Sequence, residues 1–380
     1  MKSGILWTVL GCFVLATACT NDSKTNGEGQ PEKNTAVKDV KLELVSLHPE
    51  PVIKKGDPEV KDIKFGFEGG TAFKVNNKYY VFSTEVFDEP KTAAVRMSLW
   101  KSDDGLKFTK ETVIAETNRN WYDTTYRMAP WSPMAVFDEQ HNRWSVFHVG
   151  YKRKPNATDT YNMSGRIHRY DSKTPGREGI TGPYVEGDWL NIAKKGDAWE
   201  GPAELVSFFP YKVGDVWYGF YGSNSAPEYI NPVSKPQENN EAKILFYVGL
   251  AKADSLTGEW VRTTEKNPVL MDPEFIENPV VTKVHDSLYL VVYDGANKHE
   301  VSYSWSRDGI NWNKEKVLQL PNAPAWLHAM RTPLGLIPEG NNQFTLYFTA
   351  FDGQNKEGVL PLWHDGFGSV GMMKVKLVTE

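Results

Sequence analysis

Two glutamates stand at corners that open apolar strands and a third in a Trp-Glu-Gly-Pro stretch between strands, which is where acid–base chemistry could be gathered from distant parts of a chain. Glu68 follows two aromatics and precedes Gly69-Gly70, a poor setting for a casual surface charge. Glu277 lies between Ile276 and Asn278-Pro279, and Glu200 lies in Trp199-Glu200-Gly201-Pro202, with Glu204 just beyond. Two carboxyls that meet in space do general acid–base work when one keeps its proton and the other stays ionised. Each also has a bland reading. Glu68 could cap backbone N–H groups, Glu277 could pair with Arg331, and Glu200 and Glu204 could belong to an ordinary connecting loop.

The elements that must position these residues form a repeat. A proline or glycine corner opens an apolar strand, a polar turn follows, and an aromatic-rich strand returns. The five openings are Phe67-Glu68-Gly69-Gly70-Thr71, Trp131-Ser132-Pro133-Met134, Ser207-Phe208-Phe209-Pro210, Glu277-Asn278-Pro279 and Arg331-Thr332-Pro333. They recur every 54–77 residues. A period of roughly 40–50 residues with about four strands per unit marks a β-propeller blade. The longer spacing here calls for extended loops. Asn76-Asn77, Gly214-Asp215 and Asn341-Asn342 supply hairpin turns. Asp104-Gly105 and Asp308-Gly309 reverse later strands, and these turns read as structural despite their likeness to a sialidase Asp-box. Helical periodicity is absent beyond the first residues, so the expected fold is an all-β, five-bladed β-propeller. Leu42–Leu47 alternates like a strand and is expected to close the ring as the outermost strand of the last blade, beside Met372–Val378.

Residues 1–18 read as a bacterial lipoprotein signal. Lys2 precedes an apolar run that is too short for a permanent span, and Leu15-Ala16-Thr17-Ala18 leads to Cys19. Cys19 is then the lipidated first residue of an exported chain; an ordinary secretory signal cleaved near Ala18 is the alternative. Residues 19–38 are too polar to bury a core and read as a flexible tether, and 39–380 as one propeller domain. Cys12 lies in the signal, so the mature chain has no cysteine pair for a disulfide or a metal site. The net charge of −5, with mixed signs, speaks against nucleic acid as a partner. Aromatics make up 13%, including 13 Trp, which suits an aromatic-packed core, a sugar-stacking site, or both.

In these openings residues 60–380 resemble the five-bladed propeller glycoside hydrolases, the arabinanase, β-xylosidase and invertase-like enzymes. The resemblance implies that Glu68 is the general base at the first blade and Glu277 the general acid at the fourth. In the invertase-like branch the acid comes instead from a Trp-Glu-Cys-Pro, so Glu200 competes for that role. Trp131 and Pro133 keep the second-blade pattern, but Met134 replaces its acid, and Ser207 stands where the third blade supplies an Asp. The implied reaction is glycosidic-bond hydrolysis, with inversion favoured. Inverting carboxyls stand about 6.5–9.5 Å apart to admit water, and retaining ones about 5–5.5 Å.

Further candidates line the same openings. Arg331 can bind a sugar hydroxyl or carboxylate, fix a catalytic Glu, or serve a structural salt bridge. Trp131 is a stacking platform or a core tryptophan. Asp123 and Arg127 precede the second opening, in a loop that would reach the pocket. His328 touches substrate or is a satisfied buried histidine. No cluster has metal-ligand spacing, no cofactor is expected, and an axial Ca²⁺ enters by analogy only. The expected partner is a carbohydrate, the expected state a monomer, and membrane contact comes only through the lipid. The alternative function is a silent, glycan-binding surface propeller. A sialidase would want three clustered arginines, and the openings offer only Arg331.

Overall fold

The computed structural model describes residues 37, 39–88, 94–120, 122–153, 161–192, 196–201, 205–224, 246–272, 275–295, 300–354 and 366–380. Cys19, Glu204, the signal 1–18 and nearly all of the tether 19–38 lie outside the described residues. Contacts divide the chain into Met1–Lys38 and Asp39–Glu380. Every named strand lies in the second unit, and among the described residues the only helical elements are three short 3₁₀ turns.

The strands fall into antiparallel meanders. The first is β2 (Gly66–Val75), β3 (Lys78–Asp88), β4 (Ala94–Ser102) and β5 (Thr109–Glu116). The second is β6 (Ala129–Asp138), β7 (Arg143–Arg153), β8 (Tyr161–Ser172) and β9 (Tyr184–Glu186). β10 (Ser207–Val213), β11 (Val216–Asn224), β12 (Phe246–Ala253) and β13 (Val261–Arg262) follow. Next come β14 (Glu277–His285), β15 (Leu288–Asp294), β16 (Glu300–Ser306) and β17 (Lys316–Gln319). β18 (Ala329–Gly340), β19 (Gln343–Phe351) and β20 (Gly368–Thr379) end the chain. β1 (Val40–Leu47) pairs antiparallel with β20, from Val40 opposite Thr379 to Leu47 opposite Met373, as its alternating sequence predicts.

First strands of successive meanders neighbour one another in chain order, and β18 lies against β2. A parallel bridge between Gly66 and Gly368 ties the first meander to the last. A Cβ on Gly66 would stand 2.0 Å from the Gly368 carbonyl oxygen, so this approach requires glycine.

Apolar side chains fill the space between meanders. Ala72, Val81 and Trp100 pack with Leu334, Ile337 and Tyr347 from the last meander. On the other side, Val75, Phe82 and Leu99 meet Ala135, Trp144 and Val146. Phe67 meets Trp100 edge-on at 5.5 Å between centroids. Both residues are buried, and truncating such an aromatic costs about 3–5 kcal/mol.

The Asp-Gly turns are structural. Asp104 Oδ1 accepts the backbone N–H of Leu106 and of Lys107 at 2.8 Å, and Ser102 Oγ accepts that of Gly105 at 2.8 Å. Asp308 and Ser306 repeat the arrangement. Each turn docks on another meander: Tyr347 donates to the Gly105 carbonyl at 2.8 Å and Tyr211 to that of Gly309 at 2.7 Å. Burial alone would raise the Asp308 carboxyl, but the Asn311 and Ile310 amides draw it down to about 2.

Glu315 shows the opposite balance. Burial, followed by the carboxyls of Asp272 and Glu300, pushes it up to about 7, against a hydrogen bond from Ser302. The folded chain therefore holds this proton above the unfolded Glu value of about 4.3. Its stabilising contribution is complete below that value and fades as pH rises toward 7. Thermal unfolding of Glu315→Gln should show a flatter dependence between pH 5 and 8 than the parent, with a higher Tm at pH 8; parallel curves would contradict this.

Candidate active site

Three first strands open with the same local device. β2 bulges between Glu68 and Gly70, β6 between Trp131 and Met134, and β14 between Glu277 and Val280. The residue after each functional side chain is left-handed: Gly69 at φ +35°, Ser132 at +52° and Asn278 at +51°. A bulge turns the strand locally and re-aims a side chain. Pro133 and Pro279 follow, and a bulge is where a sheet tolerates a residue without an N–H. Ser132 is held by its own N–H, which donates to Thr84 Oγ1 at 2.8 Å. Only glycine fits at 69, because a Cβ there would meet Ser132 Oγ at 2.5 Å.

These openings converge on Arg331. Its Nη1 donates to Glu277 Oε2 at 2.9 Å and its Nε to Glu68 Oε1 at 3.3 Å. Nη1 also donates to Asp294 Oδ2. Trp131 Nε1 donates to the other Glu68 oxygen at 3.2 Å. Five strands, β2, β6, β14, β15 and β18, thus deliver one cluster. Glu68 is 2% exposed, whereas the Glu277 and Arg331 side chains keep 14% and 21%.

Three carboxyls around one guanidinium leave an excess of negative charge. Burial pushes Glu68 up, Arg331 pulls it down, and Glu277 pushes it up again; the net direction is upward. Burial works against the Arg331 charge, but Glu277 and Glu68 more than offset it, so its proton is held tighter than usual. Glu68 is therefore the carboxyl of the cluster that holds its proton more firmly than a free glutamate. Among the described residues, no group of three or more His, Cys, Asp or Glu side chains is placed to hold a metal ion.

The structure brings together Glu68, Glu277, Arg331 and Trp131 and sets Glu200, Asp123, Arg127 and His328 elsewhere. Glu200 takes Arg262 Nε at 2.8 Å and Nη2 at 3.0 Å, with Tyr221 Oη at 2.9 Å and the Asp197 amide at 3.0 Å. It is a half of a separate ion pair, and its contacts belong to the third meander. Asp123 folds its own loop, accepting Thr125 Oγ1 at 2.6 Å and the Arg127 amide at 2.9 Å. Burial opposes the Asp123 charge, and these bonds more than restore it, so the carboxyl lies below its usual range. Arg127 pairs with Glu186 and lies over Trp189. His328 is exposed rather than buried; its amide bonds the Phe351 carbonyl at 3.0 Å and its ring packs over Gly353. Asp294 escaped the sequence reading. Simple counting back from the turn after His285 does not pair it with Glu277; two register shifts in β14, between Lys283 and His285 and between Glu277 and Val280, bring it there.

The sequence matches no protein-family model. It matches no curated protein. Solved structures do match. A family 117 glycoside hydrolase produced by the marine bacterium Zobellia galactanivorans superposes with a TM-score of 0.57 at 13% identity, covering 89% of this chain and 90% of that one. A second glycoside hydrolase gives 0.55 at 12% identity, covering 83% and 93%. An α-L-arabinofuranosidase from Lactobacillus brevis gives 0.52 at 10% identity, covering 81% and 91%. The chain has the propeller-type fold of these enzymes. At such identities the likeness speaks for the fold alone, and the chemistry has to come from the cluster itself.

Removing Arg331 strands three carboxyls without a cation, and an uncompensated buried charge costs about 3–5 kcal/mol. Arg331→Met should lower Tm by several degrees at pH 7.5 and recover part of the loss at pH 5, where the carboxyls take up protons. A Tm loss independent of pH would show that packing, rather than charge, is what Arg331 contributes.

Proposed function

We propose that this chain is an exported glycoside hydrolase whose carboxyl pair is Glu68 and Glu277. The observation that carries the reading is the meeting of these two side chains at Arg331, from strands far apart in sequence, on a scaffold shared with glycoside hydrolases. The meanders are taken as five blades of a ring that β1 completes beside β20, with the site at the inner ends. Cys19 carries the lipid that tethers the mature chain to a bacterial envelope membrane through residues 19–38.

The roles follow from burial. Glu68 is the more enclosed and holds its proton more firmly than a free glutamate, so it is the proton donor. Glu277 is the more open and serves as the base. This reverses the order that the resemblance implies. As the glycosidic C–O bond breaks, the Glu68 proton passes to the leaving oxygen. A water oxygen bonds to the anomeric carbon and gives its proton to Glu277, and solvent then restores the starting protonation. Arg331 holds both carboxyls in place. Asp294 shares that guanidinium and is a positioning residue.

A second reading, a silent glycan-binding propeller, is favoured by one feature: every carboxyl of the cluster is engaged by Arg331 in the resting site.

Reducing-sugar release from a polysaccharide panel separates the two. The hydrolase reading expects release that Glu68→Gln and Glu277→Gln each cut by about 10²–10⁴-fold, the usual range for a general acid or base. An aryl glycoside with a good leaving group needs little protonation, so Glu68→Gln should lose far less on it than Glu277→Gln. The reverse pattern restores the other role order, and binding without any release leaves the silent propeller. In the active parent, kcat/KM should fall as pH rises through the raised Glu68 value.

A further inference from the structure

The loop before β6 builds a second feature beside the site. Tyr126 is left-handed, at φ +62°, a costly conformation for an aromatic residue. Its carbonyl closes onto β7 at Gly150, where a Cβ would stand 2.2 Å from that oxygen and 3.3 Å from the Trp189 ring. Trp189 meets Tyr126 edge-on at 5.9 Å between centroids. Behind it, Trp189 stacks on His168 at 4.0 Å and 19°, and His168 is itself anchored to the Gly187 carbonyl at 2.9 Å. Two half-buried aromatics are thus held in fixed orientations on one wall.

Cations crowd this wall. Lys152 Nζ lies 2.7 Å from Tyr126 Oη and 4.4 Å from the ring centroid. The Arg166 guanidinium lies 5.4 Å from the same ring, and that of Arg127 lies 5.5 Å from Trp189. Of the three, only Arg127 has a carboxylate partner among the described residues, Glu186. Several other cations are matched by a carboxylate: Arg96 and Lys110 by Glu85, Lys74 by Glu339, Arg262 by Glu200. Two like charges on one phenol ring repel, and the ring quadrupole offsets this only in part. Among the described residues, a chain with a net charge of −5 thus keeps a local positive excess at one aromatic wall.

The wall stands at the functional end of its meander. Ala129 pairs with Tyr151 and Trp131 with Val149, so Tyr126 and Lys152 lie at the end of β6 and β7 from which Trp131 reaches Glu68. We propose that Tyr126, Trp189, Lys152 and Arg166 form a subsite for an anionic sugar residue, a uronate or a sulfate ester, of the bound glycan. Tyr126, braced edge-on by Trp189, packs against the sugar, and the two cations take its charged group. This rests on the glycosidase reading for what happens to the rest of the glycan.

The test uses the mature Glu68→Gln protein, with the parent at short times as a check, in calorimetric titrations at low and high salt. The probes are oligogalacturonides, sulfated galacto-oligosaccharides and neutral galacto-oligosaccharides of equal length. One anionic probe should bind at least tenfold tighter than the neutral one, and whichever does identifies carboxylate or sulfate. The preference should shrink in high salt and fall at least tenfold in Lys152→Ala/Arg166→Ala, and partly in Arg166→Ala alone, with Tm held. Equal affinity for all three probes, or a preference that survives the double variant, overturns the subsite. Anionic preference in a parent that hydrolyses nothing keeps the subsite and removes the hydrolase reading. Hydrolysis of a neutral glycan, without anionic preference, does the reverse.

Discussion

One half-buried guanidinium organises the centre of this protein. Arg331 draws Glu68, Glu277 and Asp294 to within hydrogen-bonding reach from three different strands. Taking charges out of water is expensive, and the cost is offset only where the partners are well placed. The first strands of distinct meanders therefore cannot shift independently: moving β2 or β14 would strand a carboxyl. Burial is what raises Glu68 most; Arg331 opposes it and Glu277 adds to it, and the proposed proton transfer draws on that balance. Stability and chemistry thus draw on a single arrangement.

That arrangement needs side chains aimed away from the usual pleat. The recurring answer is a bulge followed by a left-handed residue, seen at Gly69, Ser132 and Asn278. The residue type differs each time because the surroundings differ. Gly69 faces the Ser132 hydroxyl too closely for any Cβ, while Ser132 and Asn278 carry polar side chains in a conformation that short polar residues tolerate better than apolar ones. Prolines after Ser132 and Asn278 then leave no N–H to be orphaned. What reads in sequence as a corner motif is a device for turning one side chain inward.

Much of this was legible in the sequence because the signals were local. The Asn76-Asn77 and Asn341-Asn342 turns, the Asp-Gly reversals and the alternation that marks β1 as a strand each depend on a pattern within a dozen residues. Glu68, Glu277, Arg331 and Trp131 were visible because each sits at a corner. Asp294 was not, because it ends a returning strand and only the register relative to Glu277 reveals it. Glu200 misled for the opposite reason. Its Trp-Glu-Gly-Pro setting matches a motif, but Arg262, 62 residues later, holds the carboxylate in another meander, and no sequence window contains both. Asp123 was placed correctly in a loop, yet its oxygens are spent on that loop's own amide and hydroxyl.

The departures from the resemblance also acquire a physical reason. Met134 stands where an acid is expected, and it is fully buried opposite Phe147. A carboxylate there would have neither water nor cation and would cost far more than it could return. Ser207, also buried, stands at a β10 opening without the bulge seen in the other meanders, so no side chain there is turned toward Arg331. The cluster instead takes its third carboxyl from the second strand of the fourth meander, as Asp294. Two acids are absent from the strands where the resemblance expects them, yet Arg331 still gathers three carboxyls, because a guanidinium's N–H donors require acceptors within reach and not a particular strand to supply them.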